Sequence, residues 1–319
     1  MREESTVLRI LAGSIRKLFL KCQLDYEKLE EIRLRIGQPV WILYQQKPYY
    51  LMKNGTLGQD SKEAYRVSQL DLKETMEYAS GHSMYAYENE RRQGYLTIQG
   101  GHRIGLAGKV VVENGRVKMV SDIGMINIRL AHEQIGCAKK ILRYIKEKDE
   151  VLNTLLISPP GGGKTTLLRD LIRLLASKEE GMTVGVVDER SEIAASYMGV
   201  PQNNLGITVD VLDSCPKAEG MMMLLRSMAP DVIAVDEIGT MEDQRAIFQV
   251  MNSGCRILAT MHGASVQEVF EKKMMQELLQ QKVFRRFVVL DNRYHVGAIK
   301  EIYKEDGSNS CGDFARLLG

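Results

Sequence analysis

The sequence has few features of disulfide-bonded, zinc-stapled or membrane-spanning chains. Its five cysteines are widely spaced and form no C-x-x-C pair, so we expect reduced thiols and neither a disulfide framework nor a structural zinc site. No run of about 20 apolar residues occurs, which argues against a transmembrane helix. The N-terminus is charged throughout and lacks the apolar stretch of a signal peptide. We therefore expect a cytoplasmic protein that meets membranes only through partners.

An excess of charge of one sign is also missing. The 319 residues include 43 Lys and Arg against 41 Asp and Glu, which gives a net charge of +2. This balance predicts no nucleic-acid partner, although it leaves room for a local basic patch. Hydrophobic residues make up 44% and charged residues 26%, as in ordinary soluble proteins, and a chain of this length favours two domains.

The first 136 residues mix helical and strand patterns. Apolar spacing predicts an amphipathic helix over Val7–Lys21, and Ser68 is placed to cap a helix that ends near Ala79. Asn54-Gly55 and Asn114-Gly115 are strong hairpin-turn signals. Together these patterns predict a smaller N-terminal α+β domain, residues 1–136, with an antiparallel sheet.

The pattern changes after a charged segment. Residues 137–150 predict a linker helix, AKKILRYIKEKDE in its main part. From residue 151 to 319, short apolar strands such as VLNTLLI, TVGVVD and VIAVD alternate with helical segments, and RRFVVLDNRYHVGAIKEIY predicts two further strands. Continuous apolar strands between helices predict an α/β domain whose parallel sheet is covered on both faces.

The strongest motif is SPPGGGKT, from Ser158 to Thr165. It fits the P-loop pattern G-x-x-x-x-G-K-[ST] except at Ser158, and it follows an apolar strand and opens a helix, as a P-loop requires. Converging backbone N–H groups and the helix N-terminus would bind phosphate, Lys164 would reach the β- and γ-phosphates, and the Thr165 hydroxyl would ligate Mg²⁺. The predicted nucleotide-binding residues are Pro160, Gly161, Gly162, Gly163, Lys164, Thr165 and Thr166.

A second motif, VIAVDE, ends in two acids about 70 residues later. An apolar strand that ends in an acid is the Walker B arrangement, which assigns Asp236 to the Mg²⁺ shell. Glu237 can polarise a water for attack on the γ-phosphate. The alternative, two solvated turn acids, is weakened by the P-loop that precedes them.

A third motif, Ala259-Thr-Met-His262, ends the next apolar strand. In the P-loop folds with an extra strand between the Walker A and Walker B strands, this strand is the insert, so Thr260 or His262 could sense or stabilise the γ-phosphate. The fourth is the charged run Asp188–Glu192. An acid there could position metal-bound water or accept a bond from a neighbouring subunit; a solvated loop is the alternative.

The order of these four elements resembles the type II/type IV secretion ATPases. DERSEI is similar to their acidic box, best matched at Glu189 and Glu192, and ATMHG to their histidine box. The resemblance implies a C-terminal RecA-like P-loop ATPase domain that uses ATP and Mg²⁺. The predicted catalytic residues are Glu237, Lys164, His262 and Glu189, and the predicted metal ligands are Thr165 and Asp236.

Segments of the first half extend the resemblance. EIRLRIGQPV, GGHRIGLAG and NIRL resemble the stage III sporulation AA family, the secretion-ATPase relatives of endospore-forming bacteria. This resemblance implies a homo-hexamer that powers assembly of, or transport through, the channel between mother cell and forespore. It also implies a peripheral place on the mother-cell side of the forespore membrane, held by membrane proteins of the channel complex.

One departure from the secretion ATPases concerns charge neutralisation. They often carry Gly-Glu at Walker B and an arginine two residues later, where this chain has Asp236-Glu237 and Gly239. Arg226 is one candidate to supply the positive charge of the missing arginine. Arg103 and Arg129 are others, because N-terminal-domain arginines close the nucleotide site in the family. For each of them an ordinary surface arginine is the alternative.

Two other functions stay open at this point. A nucleic-acid translocase can use the same ATPase core, although the charge balance does not favour it. A nucleotide-switched scaffold with negligible turnover is the other, although it has little need of a water-activating Glu237. No base-reading motif separates ATP from GTP.

Overall fold

The structure, a computed structural model, describes residues 2–81, 94–148, 150–291, 297–305 and 308–311. The chain forms two compact units that divide between His132 and Glu133. This division lies slightly before the predicted end of the N-terminal domain at residue 136. Unit 1 is the N-terminal unit, and unit 2 is the C-terminal one.

Unit 1 is built on a seven-stranded antiparallel sheet in the order β4-β3-β2-β1-β7-β6-β5. The central strand β1 alternates between buried and accessible residues: Ile32 and Leu34 are fully buried and Arg33 is not. That period of two places one apolar face against a core, as the sequence predicted. The strands are β1 Leu29–Arg35, β2 Trp41–Tyr44, β3 Lys47–Leu51, β4 Leu57–Gly58, β5 Tyr95–Thr97, β6 Arg103–Glu113 and β7 Arg116–Arg129.

Two predicted turns and one predicted helix of unit 1 are confirmed. Asn114 and Gly115, with φ of 52° and 74°, join β6 to β7 in a two-residue turn, and Asn54-Gly55 lies between β3 and β4. A helix runs from Gln69 to Ala79 after Ser68, whose hydroxyl accepts the N–H of Asp71 in a capping box.

The predicted helix Val7–Lys21 is wrong as one element, because the chain forms two helices broken after Ile10. The Ala12 N–H donates to the Thr75 hydroxyl oxygen at 3.0 Å, so a backbone group that would continue a helix is used by a tertiary contact. The helices of unit 1 are α1 Arg2–Ile10, α2 Gly13–Lys21 and α3 Gln69–Ala79, with a 3₁₀ turn at Tyr26–Lys28.

Unit 2 contains an eight-stranded sheet in the order β12-β11-β13-β14-β10-β15-β16-β17. In this order, the first six strands, from β12 through β15, run parallel to one another, and β16 and β17 are antiparallel additions. β14 lies between β10 and β13, as predicted. The strands are β10 Thr154–Ser158, β11 Val184–Asp188, β12 Val209–Asp213, β13 Val232–Val235, β14 Arg256–His262, β15 Arg286–Asp291, β16 Ala298–Lys304 and β17 Asn309–Cys311.

Helices cover both faces of this sheet, again as predicted. Successive residues of β10 enter different cores. Leu156 packs with the helix Lys164–Leu175 on one face, and Leu155 and Ile157 pack with helices of the segment 217–280 on the other. Across the described residues, no helix is both long and apolar enough to cross a membrane. The helices of unit 2 are α4 Lys139–Leu142, α5 Lys164–Leu175, α6 Lys217–Ser227, α7 Met241–Asn252, α8 Val266–Phe270 and α9 Lys273–Gln280.

The predicted linker helix over residues 137–150 is a four-residue helix, α4, followed by a two-stranded ribbon of β8 Lys146–Glu147 and β9 Glu150–Val151. Asp170 of α5 accepts the N–H groups of Gly136 and Ala138 at 3.0 and 2.7 Å, which fixes the start of this segment. Charged residues of this segment form ion pairs with three distant segments: Lys146 with Glu180, Glu147 with Arg285, and Glu150 with Arg256.

A buried histidine lies near the end of unit 1. His102 has no exposed surface, and its Nδ1 accepts the N–H of Ala131 at 3.1 Å. Burial lowers the pKa of His102 to about 4, and the nearby His132 adds to this shift. Folded His102 therefore stays neutral at a pH where an exposed histidine is charged.

We predict that His102 makes unit 1 sensitive to acid. Between pH 6.5 and about 4 the unfolded chain takes a proton on this imidazole and the folded chain does not, so the free energy of unfolding falls as the pH is lowered, by up to roughly 3 kcal/mol. Replacing His102 with Gln keeps an acceptor for Ala131 and removes the titration, so urea unfolding at pH 7 and pH 5 should differ less than in wild type. The exposed His262 changed to Gln is the control, and equal pH dependence of all three proteins would contradict the prediction.

Candidate nucleotide-binding site

The P-loop connects β10 to α5 at the carboxyl edge of the parallel sheet. Gly163 is the N-cap residue of α5 and has a φ of 87°, and Gly161 has a φ of 69°. These left-handed conformations favour glycine. They turn the loop so that the first N–H groups of α5 lie at its open end, where an anion is bound most readily.

The departure at the first P-loop position fits the local packing. Ser158 is fully buried, and its hydroxyl donates to the Pro159 carbonyl oxygen at 2.8 Å. A Cβ atom at Gly162 would collide with the Ser158 side chain, so the serine is accommodated because Gly162 has no side chain. Lys164 is also buried, and its Nζ donates to the Ser158 carbonyl oxygen at 3.3 Å.

The two predicted metal ligands meet. The Thr165 hydroxyl at the start of α5 donates to Asp236 Oδ2 at 2.6 Å, although the two residues are 71 positions apart. Asp236 directly follows β13, which is two strands away from β10 in the sheet. A hydroxyl and a carboxylate side by side at a phosphate-binding loop are oxygen donors of the kind that Mg²⁺ prefers. These residues therefore fit the metal that the sequence predicts.

Thr260 organises both acids. It is fully buried in β14; its hydroxyl donates to Asp236 Oδ1 and accepts the N–H of Glu237 at 2.9 Å. Its carbonyl oxygen accepts the N–H of Ile238, also at 2.9 Å. Thr260 therefore acts as a positioning residue for the two acids, a role that the sequence interpretation, a γ-phosphate contact, did not include.

His262 lies at the same sheet edge but in a different setting. Its Cα is level with that of Ser158 on the neighbouring strand, and the residue is exposed. Its carbonyl oxygen accepts a bond from Lys272 Nζ, and the next N–H, of Gly263, donates to Ser158 O at 3.2 Å. The structure thus places His262 beside the start of the P-loop, and γ-phosphate sensing by its side chain stays a prediction.

Glu237 is held in an uncommon backbone conformation. Its φ is 53°, in the left-handed region that few residues with side chains adopt. Its carboxylate Oε2 lies 2.8 Å from Nη1 of Arg190, which belongs to the charged run after β11. The side chains of both residues are substantially exposed, at 41% for Glu237 and 67% for Arg190.

The acidic run has a buried member and an exposed member with different partners. Asp188 is 1% exposed and accepts the N–H groups of Glu192, Ile193 and Ala194 at 2.8–2.9 Å. Burial raises the pKa of Asp188 to about 6 although these three donors favour the charged form. Glu189, the predicted catalytic acid, forms an ion pair with Lys217 at the start of α6. The sequence analysis included Asp188 in the charged run but gave it no role of its own, although Asp188 is the last residue of the apolar strand β11.

Arg169 ties this run to the P-loop helix. Its guanidinium donates to the carbonyl oxygens of Glu192 and Ile193 at 2.7 and 2.9 Å. Because Arg169 lies on α5, the acidic run and the P-loop share a rigid support. This connection depends on a side chain that no motif singled out.

The three predicted arginines lie on other elements. Arg103 and Arg129 belong to unit 1, where they are directly opposite each other on β6 and β7. The Arg103 guanidinium lies over the Tyr95 ring, 4.1 Å from its centroid. Arg226 is an exposed residue of α6. Their contribution to a nucleotide site stays a prediction.

The sheet order, the P-loop and the acids after β13 define a RecA-like P-loop fold. Two solved structures share it. The pilus retraction motor PilT, solved with ADP, is 13% identical with a TM-score of 0.57, over 86% of this chain and 76% of that one. The ATPase DotB of Legionella pneumophila is 15% identical with a TM-score of 0.53, over 82% and 72%.

Sequence comparison identifies the family of the chain. The family model "Sporulation stage III, protein AA" matches residues 1–310, and the chain belongs to that family. Stage III sporulation protein AA of Bacillus subtilis (strain 168) is 42% identical over 284 residues, which are 88% of each chain. The resemblance to this family is thus confirmed, and the solved structures confirm the RecA-like fold that the resemblance to the secretion ATPases implied.

We predict that the Thr260 hydroxyl is needed for hydrolysis more than for nucleotide binding. A Thr260→Val substitution keeps the shape and removes the bonds to Asp236 and Glu237, so the turnover of ATP should fall roughly 10- to 100-fold with little change in nucleotide affinity. Thr154→Val is the matched control, since Thr154 is a fully buried threonine on the adjacent strand whose hydroxyl donates to Leu152 O. Equal turnover of the two variants would contradict the assignment.

Proposed function

We propose that this chain is a Mg²⁺-dependent ATPase of the secretion-ATPase superfamily that hydrolyses ATP to do mechanical work. The observation that carries the proposal is the 2.6 Å contact between Thr165 and Asp236. It joins a P-loop hydroxyl to the acid that ends β13, and the water-activating candidate Glu237 comes directly after that acid. The structural neighbours named as ATPases support the same reading.

In this mechanism each residue has one task. The N–H groups of the P-loop and Lys164 bind the β- and γ-phosphates, and Thr165 and Asp236 hold the metal. Bound Mg²⁺ supplies charge neutralisation at the phosphate oxygens. Glu237 accepts a proton from the attacking water, with its backbone held by Thr260. Phosphoryl transfer needs mainly positioning and electrostatic stabilisation, which this set of side chains can supply.

Coupling to motion would involve residues beyond this cluster. His262 would report on the γ-phosphate from the end of β14, and Glu189 would contribute from the acidic run. Arg103 and Arg129 would bring positive charge to the nucleotide when the N-terminal unit closes over it, in the same chain or between subunits of a homo-hexamer. The pairing of the two arginines across β6 and β7 supports a joint role, since both side chains leave the same face of the sheet.

The proposed work is assembly of, or transport through, the channel between mother cell and forespore during sporulation. Membership of the sporulation family and the 42% sequence identity to the Bacillus protein support this setting. The chain would act in the mother-cell cytoplasm, at the forespore membrane, through membrane proteins of the channel complex. ATP and Mg²⁺ are its cofactors, and no nucleic-acid partner is proposed.

The test is Mg²⁺-dependent ATP hydrolysis by the purified chain, with Lys164→Ala and Glu237→Gln measured beside wild type. We predict that Lys164→Ala weakens ATP binding and abolishes turnover, because the buried ammonium is lost from the phosphate site. Glu237→Gln should keep ATP binding and lose roughly 10²- to 10⁴-fold in turnover, because an amide cannot accept the proton.

The same assay with added DNA separates the alternatives. Turnover that is lost in both variants and indifferent to DNA supports the secretion-type motor. Strong, salt-sensitive stimulation by DNA would contradict it in favour of a translocase. Tight ATP binding by wild type without hydrolysis would contradict the enzymatic proposal and favour a nucleotide switch.

A further inference from the structure

The carboxylate of Glu237 has a cationic partner that the motifs did not identify. Arg190 Nη1 lies 2.8 Å from Glu237 Oε2. Glu237 directly follows Asp236, whose carboxylate is bonded to Thr165 at the N-terminus of the P-loop helix. A short series of contacts therefore connects the Arg190 guanidinium to the metal-binding edge of the phosphate site.

We propose that Arg190 is a catalytic residue that exchanges partners: it gives up the Glu237 carboxylate, with which the structure pairs it, for the γ-phosphate of bound ATP. This inference rests on the proposed ATPase function and adds to it the source of positive charge within unit 2. In the first state the Arg190 guanidinium is bound to the carboxylate of Glu237, the general base. In the second it neutralises the phosphate and leaves the Glu237 carboxylate available to water.

The backbone at Arg190 is fixed, so its side chain alone has to move. The buried Asp188 binds the three N–H groups that follow Ser191, and Ser191 Oγ donates to Asp213 at 2.6 Å. Arg169 from the P-loop helix holds the carbonyl oxygens of Glu192 and Ile193. The guanidinium thus extends from a support that is continuous with the P-loop itself.

On both sides of the ion pair, the backbone has a left-handed conformation of the kind found at functional sites. Ser191, the neighbour of Arg190, has a φ of 52°, and Glu237 has a φ of 53°. Left-handed conformations of residues with side chains are costly and collect at active sites, where packing and hydrogen bonds maintain them. Here they aim two charged side chains at each other across the ends of β11 and β13.

The electrostatics favour the exchange. The Arg190 side chain is 67% exposed and that of Glu237 is 41% exposed, and ion pairs this exposed contribute little stability because water screens them. A guanidinium bound to phosphate makes charge-assisted, often bidentate hydrogen bonds, which are among the stronger polar interactions. Giving up Glu237 for the γ-phosphate is therefore favourable.

The test compares binding and turnover in Arg190→Ala and Arg190→Lys. Because the contact is to the γ-phosphate, Arg190→Ala should weaken a non-hydrolysable ATP analogue about tenfold and leave ADP affinity within about twofold. Turnover should fall roughly 10³- to 10⁵-fold, as for other arginines at phosphoryl-transfer sites. Arg190→Lys should recover part of the analogue affinity and less of the turnover, since an ammonium cannot bind in a bidentate manner.

Arg256→Ala is the matched control. Arg256 and Glu150 form a comparable exposed ion pair at 2.9 Å, with Arg256 at the amino end of β14, away from the P-loop. We expect wild-type binding and turnover from it. If wild type binds and hydrolyses ATP and Arg190→Ala does the same, the inference is overturned and the ATPase proposal stands. Equal weakening of ADP and the analogue by Arg190→Ala also overturns it, and failure of wild type to bind either nucleotide overturns both.

Discussion

The Asp236 carboxylate is the constraint on which the rest of the candidate site depends. One oxygen accepts the hydroxyl of Thr165 from the P-loop helix, and the other accepts the hydroxyl of Thr260 from β14. Asp236 itself follows β13. A single side chain therefore joins the ends of three structural elements, and it sets where a metal and the neighbouring Glu237 lie relative to the phosphate-binding loop.

Much of the site was predictable because it follows from strand order. Parallel strands that end in acids, threonine or histidine bring those residues to one sheet edge, so the meeting of Thr165 and Asp236 was expected. The sequence could not assign the positioning role of Thr260 or the pairing of Arg190 with Glu237, because both depend on which way a side chain turns. Thr260 is buried between the acids, whereas His262, two residues on, is exposed. Arg190 reaches Glu237 through left-handed residues that no sequence pattern marks.

The fold shows the same division between local and tertiary information. The antiparallel sheet of unit 1, the covered parallel sheet of unit 2 and the start of α3 were predicted from periodicity, turns and a capping box. The break between α1 and α2 was not, because it depends on a bond from Ala12 to Thr75. The segment 137–150 has helical spacing and charge, yet it ends in a ribbon whose charged residues pair with residues far along the chain.

Metal binding in the presence of nucleotide tests directly whether Asp236 is a metal ligand. Mn²⁺ can replace Mg²⁺ and be titrated against the purified chain with a non-hydrolysable ATP analogue, in wild type and in Asp236→Asn. The amide keeps the size of the side chain and one of the two acceptor oxygens that bind Thr165 and Thr260, but it removes the charge. Mn²⁺ should bind at least about tenfold more weakly to the variant, with the fold unchanged. Equal Mn²⁺ affinity in the two proteins would contradict it.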